Sequence, residues 1–124
     1  MLVLYPSVII ILLGTFFASG QTAYADAESD YHYLTISFSS VCCGPDVTAI
    51  QHINVYLAKF QKQHTMTLKQ KEIYWGEEGE SDYCIDTAGI PEKLVNELMD
   101  GLEQARNNSD LTDIYMADAC RPTD

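Results

Sequence analysis

Polar and apolar residues alternate strictly at first. Residues 31–40 read YHYLTISFSS, in which Leu34, Ile36 and Phe38 share one face and Tyr33, Thr35 and Ser37 the other. This is the pattern of a strand with one buried side. Gly44-Pro45-Asp46 interrupts it, and Asp46 is placed to cap a helix. Over residues 47–64 the period lengthens. Ile50, Ile53, Leu57 and Phe60 recur three and four apart with Tyr56 beside them, while Gln51, Asn54, Lys59 and Lys62 fall elsewhere on the wheel. That spacing predicts an amphipathic helix. Residues 66–75 predict a second strand through Thr67, Ile73, Tyr74 and Trp75, with imperfect alternation that admits a bulge. After the turn Gly76-Glu77-Glu78-Gly79, residues 80–87 predict a third strand. Tyr83, Ile85 and Thr87 line one face of it, Cys84 and Asp86 the other. Pro91 opens a second helix whose stripe is Leu94, Leu98, Leu102 and Ala105, flanked by Val95 and Met99. Gly101 within it costs about 1 kcal/mol relative to Ala. Asn107-Asn108-Ser109-Asp110 ends the helix, and residues 111–119 predict a fourth strand with Ile114 and Met116 facing in.

The order is thus β-α-β-β-α-β. Right-handed crossovers place both helices on one face of a four-stranded antiparallel sheet. This α+β arrangement resembles the ferredoxin-like sandwich, with strands in the spatial order 4-1-3-2. The resemblance is to an architecture that hosts many unrelated functions, so it implies no activity.

Residues 1–25 differ in kind from the rest. They carry no charged side chain, and residues 8–18 read VIIILLGTFFA. The run is short for a bilayer span, which needs roughly 20 apolar residues. With Ala23-Tyr24-Ala25 just before Asp26, it predicts a signal peptide over residues 1–25 and a single α+β domain over residues 26–124. The absence of Lys or Arg ahead of the run departs from that pattern and leaves an uncleaved anchor or a mis-assigned start codon as the alternatives. The expectation is an exported protein, periplasmic or extracellular, not inserted in a membrane after cleavage. All 18 acidic and 7 basic side chains then fall in the domain, for a net charge of −11. Such acidity opposes nucleic acid, which needs a basic footprint. It favours a protein partner, a basic one first.

An exported chain with four cysteines favours disulfides, and four allow three pairings. The preferred map joins Cys84 to Cys120 and leaves Cys42 with Cys43. Because strands three and four flank strand one, the first of these bridges requires the C-terminal tail to fold back. The alternative for Cys42 and Cys43 is a functional pair, binding a soft metal or exchanging electrons ahead of the first helix, where a thiol's pKa is lowered. Ferredoxin-like heavy-metal carriers place cysteines in the equivalent loop, spaced by two residues and preceded by Met. Here the cysteines are adjacent and that Met is absent, so the resemblance stops short of the motif.

The turn WGEEGESDY gathers Glu77, Glu78, Glu80 and Asp82 behind Trp75. It lacks the EF-hand spacing. As a contact loop for a cationic partner, it would use Trp75 as its anchor. Tyr31, Tyr33, Tyr115 and Tyr74 are assigned to the sheet face away from the helices. His32, His52 and His64 are scattered, and no nucleophile, metalloprotease or phosphate-loop motif occurs. The expectation is therefore no catalytic residue and no cofactor. Asn107-Asn108-Ser109 fits the N-glycosylation pattern. Three readings of function follow. The first is an exported acidic protein-binding module, resembling in profile the inhibitors and immunity proteins of basic enzymes. The second is a thiol protein using Cys42 and Cys43. The third is an interaction domain of another kind.

Overall fold

A computed structural model of the chain describes residues 31–123. The signal peptide expected over residues 1–25 lies outside the described residues. The elements are β1 (Tyr33–Phe38), α1 (Val47–Gln63), β2 (Lys69–Tyr74), β3 (Ser81–Asp86), α2 (Glu92–Ala105) and β4 (Thr112–Ala117). They form a four-stranded sheet in the order β2-β3-β1-β4, with every neighbouring pair antiparallel. This is the α+β ferredoxin-like arrangement, with both helices on one face.

The core follows from the two periods. Leu34, Ile36 and Phe38 of β1 and Tyr83 and Ile85 of β3 meet Ile53, Leu57 and Phe60 of α1 and Leu98 and Leu102 of α2 in one buried cluster. Phe38 and Tyr83 meet edge to face at 4.9 Å between ring centroids. Asp46 caps α1 by accepting the Ala49 N–H at 3.2 Å. Its carboxyl is held below the ordinary range, first by that backbone N–H and next by the Ser109 side chain. Pro91 stands at the N-cap of α2 with no side-chain bond. Gly101 allows the two helices to approach, because a Cβ there would meet the Tyr56 phenol. Tyr56 in turn donates to the Glu97 carbonyl at 3.3 Å.

Two expectations about the second strand are corrected. It begins at Lys69, not at residue 66, because the Gln61 side chain accepts the Leu68 N–H at 2.8 Å and holds the approach as a loop. Its register against β3 is unbroken from Lys69↔Asp86 to Tyr74↔Ser81, so it carries no bulge. The same register moves Tyr74. It pairs with Ser81, which pairs with the core residue Phe38. Tyr74 therefore belongs to the helix side of the edge strand, not to the open face.

The open face is not bare. In register across it lie Ile73, Asp82 and Ser37, then Lys71, Cys84, Thr35 and Tyr115. No helix covers this side, yet Ile73, Asp82, Cys84, Thr35 and Ser37 are all buried. The C-terminal segment folds back over them. Cys120 is bonded to Cys84 with their Cα atoms 5.8 Å apart, and Arg121 Nε lies 3.0 Å from Asp82 Oδ2. The bridge spans a sequence separation of 36. A loop of that length is worth roughly 3–4 kcal/mol on the chain-entropy model.

Candidate functional site

Three connections converge at the end of the sheet where β1 and β2 finish and β3 and β4 begin. The loop after β1 carries Val41, Cys42 and Cys43. The β2–β3 turn carries Glu77 and Glu78. The α2–β4 connection closes the third side, where the Leu111 carbonyl accepts both the N–H and the hydroxyl of Ser39, at 2.8 and 3.1 Å. Ser40 links the first two. Its Oγ accepts the Gly44 N–H at 3.0 Å and donates to Glu78 Oε2 at 2.8 Å. The acidic turn is thereby fixed against the cysteine loop.

Cys42 and Cys43 are bonded to each other, and both are exposed. Val41 beside them is 84% exposed, the most of any large apolar residue described. Val47, in the first turn of α1, is exposed as well. The cysteine loop thus exposes apolar groups, and the Glu78 carboxylate is held beside them through Ser40.

The four acids that the sequence groups as one contact set fall into two environments. Glu77 and Glu78 are exposed, whereas Glu80 and Asp82 are buried. Glu80 folds under the turn: its Oε2 accepts the Glu78 N–H at 3.3 Å, and its carboxylate fills the space a Cβ on Gly76 would take. Asp82, 1% exposed, faces the covered side of the sheet. Its Oδ1 accepts Trp75 Nε1–H at 2.9 Å, and its Oδ2 pairs with Arg121. The Arg121 guanidinium also lies 4.5 Å from the centroid of the Trp75 ring, a cation–π distance. Trp75 remains 39% exposed at the rim. Asp82 and Arg121 hold its ring in place. The sequence signal for this cluster was the lone Trp, whose N–H needs a partner once half-buried.

At the far end of the open face, Tyr33, Lys69, Lys71, Cys84, Asp86 and Cys120 line a shallow cleft of about 300 Å³. Tyr115 lies between the two ends. Burial and then the Asp82 charge raise its phenol's pKa, with Asp113 adding to this and Arg121 opposing. The histidines remain apart. His64 packs on Phe60 with ring centroids 4.4 Å apart and sets Nε2 3.6 Å from Glu97, with no nucleophile beside it. Among the described residues, no group of three or more His, Cys, Asp or Glu is placed to hold a metal ion, and no helix is long and apolar enough to cross a membrane.

No protein-family model matches the chain, and no curated protein matches it in sequence. Among solved structures, it is similar to the C-terminal domain of the MgtC protein from Mycobacterium tuberculosis. That likeness has a TM-score of 0.43 and 10% identity, covering 76% of this chain and 96% of that one.

Proposed function

We propose that this domain is an exported acidic module that binds a basic protein through the loop end of its sheet. One observation carries the reading: Ser40, next to the exposed Val41–Cys42–Cys43 segment, is hydrogen-bonded to Glu78 of the acidic turn. An apolar patch edged by carboxylates presents both a desolvation surface and a charge pattern. The first supplies affinity, and the second steers a cationic partner and rejects acidic ones. Trp75, partly exposed at the base of the acidic turn, offers a second apolar contact. The net charge of −11 lends the whole molecule the same preference. A role as inhibitor of a basic enzyme is the narrower form of this proposal. It needs no catalytic residue of its own.

The test is retention of export-compartment proteins on the immobilised protein at low and high salt, beside a Glu77→Lys/Glu78→Lys variant. The reading expects a basic protein that is retained at low salt and lost both at high salt and with the variant. Equal retention by both forms would overturn it.

A further inference from the structure

The two disulfides differ in every respect that decides what a disulfide is for. Cys84–Cys120 joins residues 36 apart and has its first cysteine buried at 1% exposure. Cys42–Cys43 joins neighbours in sequence, and both of its residues are exposed. A bridge with no residue between its ends closes no loop, so it removes almost nothing from the freedom of the unfolded chain. Other contacts also hold the local structure. The Ser40 hydroxyl already closes the turn by accepting the Gly44 N–H, and Asp46 caps α1 by itself. The pair contributes little to the fold and faces solvent, and exposed disulfides are the labile ones.

We propose that Cys42–Cys43 is a thiol–disulfide exchange site that accepts two electrons from a protein dithiol. A thiolate of the dithiol attacks one of the two Sγ atoms. The Cys42–Cys43 bond breaks, a mixed disulfide forms, and the released thiolate takes up a proton. The second thiolate of the dithiol then attacks its own sulfur in the mixed disulfide. The dithiol leaves as a disulfide, oxidised by two electrons, and the second cysteine is released and protonated. Cys42 and Cys43 end as thiols.

The surroundings select the reductant. Glu78 is bonded to the loop that carries the pair, and Glu77 adjoins it, so a small anionic thiol such as glutathione meets like charge. Val41 offers the apolar contact that a protein surface uses and a small thiol does not. The exchange requires only a transient encounter, so it stands independently of the binding role proposed above.

The test uses the oxidised protein as exported. It is incubated with a reduced C-x-x-C protein of the thioredoxin type, and separately with glutathione at equal thiol concentration. The reaction is quenched by alkylation, and the labelled peptides are mapped. The expected labels are on Cys42 and Cys43 alone, with the far-ultraviolet circular dichroism unchanged and Cys84–Cys120 intact. The protein dithiol is expected to be faster by about tenfold or more, and Glu77→Lys/Glu78→Lys to narrow that gap. Labelling of Cys84 and Cys120 at the same rate would overturn the proposal. So would opening of the vicinal pair only as the dichroism is lost. Equal rates with the two reductants would overturn the choice of a protein dithiol.

Discussion

Replacing Cys84 and Cys120 together by Ala removes the only covalent hold on the tail that covers the open face. Both are changed so that no unpaired thiol is left to form mixed disulfides. The lost loop closure, over a separation of 36, costs roughly 3–4 kcal/mol. Truncating the buried Cys84 leaves a small void, adding about 1 kcal/mol. The sum is a large part of the ~5–15 kcal/mol of a typical domain. At about 4–8 °C per kcal/mol for a domain of this size, the melting point falls by roughly 15–40 °C. Urea denaturation at pH 7 measures the loss. Far-ultraviolet dichroism follows the fold, and fluorescence of Trp75, the sole tryptophan, follows the tail through Arg121. The companion variant Cys42→Ser/Cys43→Ser is expected within about 1 kcal/mol of wild type, since its bridge closes no loop. The reasoning is refuted if the two double variants lose similar stability, or if Cys84→Ala/Cys120→Ala loses less than about 1 kcal/mol.

Three other outcomes are expected. Arg121→Met leaves the Asp82 carboxylate buried without its cation; because Arg121 is itself more than a third exposed, the cost is discounted to about 1–2 kcal/mol. Denaturation measures it, and an altered Trp75 emission in the folded state marks the lost ring contact. Gly101→Ala destabilises by about 1–3 kcal/mol despite the better helix propensity, because the new methyl meets the Tyr56 phenol. Adding Tyr56→Ala should make the glycine substitution neutral or stabilising in a double-mutant cycle. For Asp46 the folded-state pKa is depressed, so its stabilisation is present above the unfolded-state value and is lost as pH falls through the folded one. Asp46→Ala should cost about 1 kcal/mol at neutral pH, with the difference from wild type shrinking below about pH 4 in urea titrations at stepped pH.

The architecture was legible because its two periods are distinct. Strict alternation through Leu34, Ile36 and Phe38 and the three-four spacing through Ile53, Leu57 and Phe60 leave few ways to bury both sets. Element ends were less legible: the start of β2 depends on a side chain seven residues away, Gln61 binding the Leu68 N–H. The acidic turn was only half legible. Glu77 and Glu78 reach solvent, but Glu80 and Asp82 turn inward, and nothing in the run of acids separates the two pairs. What covers Asp82 is the segment carrying Cys120 and Arg121, which has no period of its own to show where it lands. The joining of Ser40 to Glu78 was likewise hidden, since it depends on how two loops meet in space.

The account places function at the loop end of the sheet, and site-specific photo-cross-linking tests this most directly. A photoreactive residue at position 41, in the proposed surface, is compared with one at position 55 on α1. Val41 and Val55 are 84% and 67% exposed, so both can report a neighbour. In cells producing the full chain, the expected result is a discrete adduct with a basic protein from position 41 only, abolished by Glu77→Lys/Glu78→Lys. An adduct from position 55 alone, or the same adduct from both positions regardless of charge reversal, would contradict it.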